Sequence, residues 1–224
     1  MSDRTDGLTR AKALQETIKS DPTAVMSVVD ELLELAHSDT SIIQRTAIDA
    51  LGVGLQNRPE AGVSELDALI QTTLDSTVPC PNRWQGGLVA VTNAAPETAC
   101  DAVVNGFGNV EPDQRGDTGT ICVARILEQL AVETPVSLAG SMGAVRRISR
   151  TVSPEAQAHL FGAHLALVDT HREAVRPVLS DLLSAFETAD SDTRRVAADL
   201  LCALATHPED GPVIVTELIH WLAA

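Results

Sequence analysis

Apolar and polar residues alternate along this chain with the period of an α helix. In residues 24–36, AVMSVVDELLELA, apolar side chains recur at Val25, Val28, Val29 and Leu32, which lie on one stripe of a helix. Residues 174–186, AVRPVLSDLLSAF, repeat the same spacing. No stretch shows the sustained two-residue alternation of β-branched side chains that favours strands. The pattern therefore predicts an all-α protein.

Proline residues divide this pattern into helices. Asp21-Pro22, Thr134-Pro135 and Ser153-Pro154 each place a side chain suited to an N-cap before a proline suited to the first helical position. Further breaks come at Pro96, Pro208 and Pro212. The predicted helices are 8–19, 23–37, 41–56, 61–76, 82–94, 97–107, 119–132, 136–151, 154–168, 172–188, 192–206 and 212–222.

Two distant stretches of the chain are nearly the same. Residues 38–60, SDTSIIQRTAIDALGVGLQNRPE, match residues 191–210, SDTRRVAADLLCALATHPED, when Arg45 is set against Arg195. The interval between them divides into four periods of about 37 or 38 residues, each holding two predicted helices. The sequence thus predicts one repeat domain over residues 1–224, with capping helices at 8–19 and 212–222. Its five helix pairs are predicted near 23–57, 61–95, 97–133, 136–169 and 172–206.

Helix pairs of this kind bury their apolar faces by stacking on one another, as in a solenoid. The segments LLELAHSDTSIIQRTAIDALGVGL and LLSAFETADSDTRRVAADLLCALA resemble HEAT repeats, with an apolar first helix, an Asp in the turn and an Arg early in an Ala- and Leu-rich second helix. The resemblance implies an α-α superhelix with the first helices on its convex side and the second helices on its concave side. It also implies contacts between repeats from Asp39 with Arg45, and from Asp190 or Asp192 with Arg194 or Arg195.

The amino-acid composition indicates a core with almost no aromatic side chains. There is no Tyr, and the only rings belong to Trp84, Trp221, Phe107, Phe161 and Phe186. Leu, Val, Ile and Ala therefore have to fill the core, which suits closely packed helices. A protein with so few aromatic residues also lacks the stacking platforms of proteins that bind single-stranded nucleic acid.

The chain is strongly acidic, with a formal net charge of −15 and only two lysines, Lys12 and Lys19. We interpret this acidity as an adaptation of the whole surface, similar to that of proteins from halophiles, where concentrated salt screens the charges. Because phosphate backbones are bound by clustered Lys and Arg, no nucleic-acid partner is expected.

Targeting signals and cysteines indicate a cytoplasmic protein. The first residues, MSDRTDGLTRAKALQ, contain no apolar stretch of secretory length, and no run of apolar residues is long enough for a membrane span. The cysteines, Cys80, Cys100, Cys122 and Cys202, do not have the spacing of a zinc site. We therefore expect them to be reduced, buried residues, with no metal and no cofactor.

One segment of this acidic chain is rich in arginine. Residues 144–176 contain five arginines, and helices of the same rank in neighbouring pairs lie side by side in a solenoid, which can bring these arginines together. One interpretation is that they pair with nearby carboxylates. The other is a partner-binding patch for an anionic or acidic protein segment, since Arg binds carboxylates through a forked guanidinium. The candidate partner-binding residues are Arg146, Arg147, Arg150, Arg172 and Arg176.

The predicted function is a protein-interaction scaffold or adaptor without catalysis of its own, because extended solenoid surfaces offer area rather than a deep pocket. The alternative is an enzyme on the same kind of scaffold, similar to helical-repeat DNA glycosylases or lyases, with Trp84 as the aromatic residue that could hold a flipped base. The connection at residues 105–117 is longer than the others, which is typical of a functional or a mobile loop.

Overall fold

A computed structural model describes the backbone of residues 2–223 and the side chains of residues 6–184, 189–216 and 219. All regular elements in this part of the chain are helical, as the periodicity predicted. The side chains of Phe186 and Trp221 lie outside the described residues. The α helices are α1 (Ser2–Ser20), α2 (Val29–Ala36), α3 (Ser41–Asn57), α4 (Leu66–Leu74), α5 (Asn82–Ala94), α6 (Pro96–Asn109), α7 (Asp117–Glu133), α8 (Pro135–Ala139), α9 (Met142–Ser149), α10 (Pro154–Leu167), α11 (Arg172–Val175), α12 (Leu179–Thr188), α13 (Ser191–Ala205) and α14 (Gly211–Ala223).

The first helix of each predicted pair begins at a regular interval. These helical segments start at Pro22, Pro59, Pro96, Pro135 and Arg172, in steps of 37, 37, 39 and 37 residues. In all but the third pair the segment is interrupted, and an α helix resumes at Val29, Leu66, Met142 or Leu179, seven residues after the start. The prediction of one continuous helix for each of these four segments is therefore wrong.

Some of these first helices contain a 3₁₀ turn before the α helix resumes. In the first pair, the 3₁₀ turn covers Pro22–Ser27, and the α helix follows from Val29. In the fifth pair, Pro177 has no backbone N–H to continue an α helix, and the chain forms a 3₁₀ turn at Arg176–Val178. A local change of hydrogen bonding thus replaces α-helical geometry at these points.

The proline starts are confirmed, but side-chain capping occurs at only one of the three predicted sites. The Asp21 carboxylate accepts a hydrogen bond from the Thr23 N–H at 2.9 Å. The Thr134 hydroxyl instead donates to the carbonyl of Leu130 at 3.0 Å, and the Ser153 hydroxyl is buried without a partner in the part of the chain that the structure describes. A proline at the first helical position therefore starts these helices without a side-chain cap.

The chain divides into two compact units, one running to Val123 and the other from Ala124 onward. In the first unit α3 packs against α1, α2 and α5, and α4 packs against α6. In the second unit α10 packs against α13 and α9, and α12 packs against α13. Both cores consist mainly of buried Leu, Ile, Val and Ala, and the largest fully buried side chains are Trp84, Phe107 and Phe161. No helix among the described residues has the length and apolar character that crossing a membrane requires.

Candidate functional site

The five predicted partner-binding arginines occupy two different environments. Four of them are held in ion pairs with carboxylates that follow 31 to 38 residues later in the chain. The fifth, Arg147, is exposed and makes no hydrogen bond or ion pair with any described residue. The first of the two interpretations of this segment, pairing with carboxylates, therefore describes Arg146, Arg150, Arg172 and Arg176.

Arg146 and Arg150, four residues apart at the end of α9, share the carboxylate of Asp181 in α12. Arg146 Nε donates to Oδ2 at 2.6 Å, and Arg150 donates to Oδ1 from Nε at 3.0 Å and from its terminal nitrogen at 2.6 Å. Burial acts to raise the pKa of Asp181, but the hydrogen bonds from Arg146 and then Arg150 outweigh it, so the pKa is lower than usual. Asp181 therefore remains a carboxylate and keeps both guanidinium groups in place.

Arg172 and Arg176, again four residues apart, share the carboxylate of Asp210 just before α14. Arg172 donates from a terminal nitrogen to Oδ2, and Arg176 Nε lies 2.8 Å from Oδ1. The Asp210 side chain is only 3% exposed and that of Arg172 only 16%. We call these two arrangements, Arg146 and Arg150 on Asp181 and Arg172 and Arg176 on Asp210, the arginine clamps. They are structural contacts within the second unit, and the partner-binding role of the five arginines stays a prediction.

The HEAT resemblance implied contacts of Asp39 with Arg45, and of Asp190 or Asp192 with Arg194 or Arg195. Asp39 and Arg45 make no ion pair among the described residues, and Arg195 pairs with Asp199 of its own helix at 3.5 Å. The hydrogen bonds from Thr193 and, with a smaller effect, the charge of Arg194 hold the pKa of Asp190 below its usual value. In the first unit, the Asp that joins neighbouring helices is Asp49, within α3 and not in the turn before it: it accepts from Gln15 of α1 at 2.9 Å and from Arg83 of α5 at 3.0 Å.

The first unit contains a second candidate site, a groove of about 610 Å³. It lies beside the C-terminal ends of α2, α4 and α6 and the turn that follows α6. Its polar lining side chains are supplied by all of these segments. We call it the first-helix groove; its polar lining includes Glu34, His37, Gln71, Asp75, Asn109 and Gln114.

Three amide side chains in this groove have no partner of their own. Gln71, Asn109 and Gln114 make no side-chain hydrogen bond to any residue that the structure describes. Asn109 and Gln114 are exposed and Gln71 is half-buried, so their donors and acceptors remain accessible to a ligand. Glu34 and Asp75 add negative charge to the same lining.

His37 is positioned inside the groove by two neighbours. Its Nε2 lies 3.1 Å from the Thr72 hydroxyl, and its Nδ1 lies 3.6 Å from Asp75 Oδ2. The other oxygen of Asp75 accepts from the Thr77 N–H at 2.8 Å and from the Thr77 hydroxyl at 2.7 Å, which fixes the carboxylate. A hydroxyl, an imidazole and a carboxylate in this order resemble a nucleophile with its base. Thr72 is only 2% exposed, however, so the arrangement orients His37 and does not present a nucleophile to a ligand.

The segment at residues 105–117 is tied down and is not an open loop. It consists of the end of α6, a 3₁₀ turn at Pro112–Gln114 and the start of α7. Arg115 donates to the carbonyls of Phe107 at 2.5 Å and Val110 at 2.9 Å, and its guanidinium lies 5.3 Å from the centre of the Phe107 ring. This anchoring places Gln114 at the groove.

Trp84 does not line a surface. It is fully buried, and its indole N–H donates to the Thr73 hydroxyl at 3.0 Å. Trp84 is therefore not accessible to hold a flipped base, which is the role that it would have in the glycosylase alternative. Among the described residues, no group of three or more His, Cys, Asp and Glu side chains is arranged to hold a metal ion.

Comparisons with protein-family models and with curated proteins identify no relative. No model of a protein family matches the chain. No curated protein matches it at a significant level.

Proposed function

We propose that this chain is a non-catalytic protein-interaction scaffold of the cytoplasm, built as a HEAT-like stack of helix pairs. In this proposal the first-helix groove binds an extended segment of a partner protein that carries a Lys or Arg. The observation that carries the proposal is the set of three unpaired amides along one groove.

The regular spacing of the helices supports the stacked arrangement. First helices begin every 37 to 39 residues, and four of them resume after an interruption at the same seventh position. Within each unit, polar contacts join residues at nearly the same separation. Asp49 bonds residues 34 before and 34 after it, and Arg146 bonds Asp181 at a separation of 35. Contacts between residues that are slightly less than one helix period apart are what stacking of equivalent modules produces.

The chemistry of the groove supports an extended peptide as its ligand. A peptide in extended conformation presents a backbone N–H and C=O at each residue, and each needs a partner when it is removed from water. A side-chain amide offers both a donor and an acceptor, so Gln71, Asn109 and Gln114 match this requirement. The carboxylates of Glu34 and Asp75 favour a cationic side chain on the same peptide.

A displayed library of random linear peptides tests this function with the purified protein. We expect selected peptides to be enriched in Lys or Arg, and their affinity to be measurable by fluorescence anisotropy. The double substitution Gln71→Ala and Asn109→Ala should weaken their binding about thirtyfold, because two hydrogen bonds of roughly 1 kcal/mol each are removed.

A matched control lies on α6 outside the groove. Asn105 is exposed and makes no side-chain hydrogen bond to the described residues, so Asn105→Ala should leave the affinity unchanged. Glu34→Gln should weaken the basic peptides specifically. If no peptide is enriched, or if the selected peptides bind the groove variant as well as the original protein, the proposed function is wrong.

A further inference from the structure

Two cysteines that are 42 residues apart in the sequence meet in the first unit. Cys80 lies in the connection between α4 and α5 and is half-buried, whereas Cys122 lies in α7 and is 5% exposed. Cys80 lines a pocket together with Thr118 and Gly119, which lie one turn before Cys122 on the same face of α7. This places the Cys122 thiol within hydrogen-bonding reach of Cys80. The expectation that all four cysteines are buried is wrong, because Cys80 is partly accessible and Cys202 is exposed.

The backbone around the two thiols keeps them together. The Ser76 N–H donates to the carbonyl of Gln114 at 2.8 Å, and the Gly116 N–H donates to the carbonyl of Leu74 at 2.8 Å. These two bonds join the connection after α4 to the residues before α7. Cys80 is also held between Pro79 and Pro81, and a residue before proline is restricted to extended backbone conformations. The connection that carries Cys80 is therefore held against the start of α7, one turn before Cys122.

The surroundings of Cys80 favour its reactive form. The hydrogen bond from the Cys122 thiol lowers the pKa of Cys80; burial opposes this effect and the Gln85 side chain adds to it. The thiolate is the nucleophilic form of cysteine, and reactive cysteines combine a lowered pKa with partial exposure. Cys80 meets both conditions, and Cys122 is placed to act as its buried partner.

We propose that Cys80 and Cys122 are a peroxide-reactive thiol pair that closes to a disulfide. The Cys80 thiolate attacks one oxygen of a hydroperoxide, the O–O bond breaks, and the leaving oxygen takes up a proton as water or an alcohol. Cys80 is then a sulfenic acid. The sulfur of Cys122 attacks the sulfur of Cys80, an S–S bond forms, and the hydroxyl of the sulfenic acid leaves with the Cys122 proton as water. Two thiols and one hydroperoxide thus give one disulfide, one water or alcohol, and one further water.

This reaction does not depend on the proposed scaffold function and fits the chemistry of the cytoplasm. Disulfides in reducing compartments are usually transient and redox-sensing, and the glutathione and thioredoxin systems reduce them again. The other two cysteines serve as internal references, because Cys100 is buried in α6 and Cys202 is exposed on α13.

Peroxide treatment of the purified protein, followed by alkylation of the remaining thiols and peptide mass spectrometry, tests the proposal. Trypsin cleaves after Arg83, Arg115 and Arg125, so Cys80 and Cys122 fall on different peptides. We expect a cross-linked pair of these peptides and the loss of two of the four alkylatable thiols. The oxidised protein should melt roughly 5–10 °C higher than the reduced protein, because the disulfide closes a long loop of the unfolded chain.

Two variants separate the roles of the thiols. With Cys122→Ala, Cys80 should stop at the sulfenic acid, which dimedone traps as a thioether. With Cys80→Ser, Cys122 should remain a free thiol after treatment, and Cys202→Ser should still form the cross-link. Cys122→Ala replaces a buried side chain, so its far-ultraviolet circular dichroism is compared with that of the original protein.

Peroxide treatment of the unsubstituted protein is a sufficient test of the proposal, whether or not the variants fold. The proposal is overturned if its Cys80 and Cys122 stay alkylatable while Cys202 is oxidised, or if only intermolecular disulfides form.

Discussion

The two units join consecutive helix pairs by different means. In the first unit, α3 and α5 approach so closely that glycine is required at the contact: a Cβ on Gly52 would lie 2.6 Å from the carbonyl carbon and oxygen of Arg83, and one on Gly87 would lie 3.0 Å from the Gly52 Cα. In the second unit, the arginine clamps reach across the corresponding interval with long side chains and bind Asp181 and Asp210.

The two units differ in which kind of contact dominates. The α3–α5 contact of the first unit also has an ion pair, Arg83 with Asp49, but these side chains are 63% and 30% exposed, whereas the Asp210 side chain is 3% exposed. Contacts between backbones depend on shape and are insensitive to pH and salt, whereas contacts between a guanidinium and a carboxylate depend on charge and on burial. The first unit should therefore fail when side-chain volume is added, and the second when charge is removed. Four predictions test this comparison, from the largest expected effect to the smallest.

Removing the charge of Asp210 should have the largest effect. Asp210→Asn keeps the shape of the side chain but leaves Arg172 and Arg176 without their carboxylate, and Arg172 is largely buried. Breaking a buried ion pair on one side typically costs 3–5 kcal/mol, so we expect the free energy of unfolding in urea to fall by about 3 kcal/mol. The neighbouring Glu209, which is 66% exposed and 4.0 Å from Arg176, gives the control: Glu209→Gln should change stability by less than about 0.5 kcal/mol.

Adding one methyl group between α3 and α5 should have the next largest effect. Gly52→Ala improves helix propensity by about 1 kcal/mol, but the new Cβ overlaps the backbone at Arg83. Backbone atoms cannot move aside as a flexible side chain can, so we expect an overpacking cost of about 3 kcal/mol, the upper end of the usual range. We expect a net loss of about 2 kcal/mol in the free energy of unfolding. Gly108 lies in helix α6 of the same unit with no atom within 4 Å of its Cβ position, so Gly108→Ala should stabilise the protein. Equal effects at the two glycines would contradict the steric account.

Acid should destabilise the second unit through His164 in α10. Burial lowers the pKa of this imidazole to about 4, against a hydrogen bond to the Leu160 carbonyl that acts to raise it. Because the unfolded chain binds a proton near pH 6.5 and the folded chain does not, stability is complete above that pH and is lost as the pH falls towards 4. Between pH 7.5 and 5.5 the loss should be about 1.4 kcal/mol.

The variant His164→Leu isolates this contribution. Its free energy of unfolding should change less with pH than that of the original protein over the same interval. Asp181, which is also near the imidazole, does not interfere. Its lowered pKa gives stability that is present above its unfolded pKa of about 3.9 and is lost only below that pH. If the two pH profiles are parallel, His164 is not the cause.

The smallest effect is expected at Arg147. This arginine has no partner among the described residues, so Arg147→Gln should change the free energy of unfolding by less than about 0.3 kcal/mol. Arg150→Gln, three residues further on, removes two bonds to Asp181 from a half-exposed side chain and should lower the free energy of unfolding by more than Arg147→Gln does. Arg147 is also the one predicted partner-binding arginine whose charge no carboxylate of the described chain neutralises. A partner bound through the arginines should therefore lose affinity with Arg147→Gln while stability is unchanged.

Local patterns predicted the helices well, because helix starts and ends depend on neighbouring residues. Pro22, Pro96, Pro135 and Pro154 begin helical segments, and the predicted bounds of the second helices lie within two residues of those observed. The interruptions of the first helices were missed, although Pro177 signals one of them. Apolar periodicity continues across such a break, since the same face remains buried.

The candidate sites were harder to predict because their members lie a full period apart. The arginines of the clamps stood out in the sequence, but Asp181 and Asp210 are two acids among 31, and nothing local marks them as partners. Cys80 and Cys122 likewise have no motif spacing. The amides Gln71, Asn109 and Gln114 are ordinary surface residues until the ends of α4 and α6 are placed beside one groove. Such relations depend on how helices pack, which a single sequence does not specify residue by residue.

The short connection between α4 and α5 links two properties of the first unit. At one end, Asp75 lines the first-helix groove, and five residues later Cys80 contacts Cys122. If the groove and the cysteine pair influence each other, their effects on each other must be equal. By whatever factor closure of the disulfide changes the affinity for a peptide, the bound peptide changes the thiol–disulfide equilibrium constant by the same factor. A tenfold change in affinity would appear as a displacement of about 30 mV in the midpoint potential of the cysteine pair.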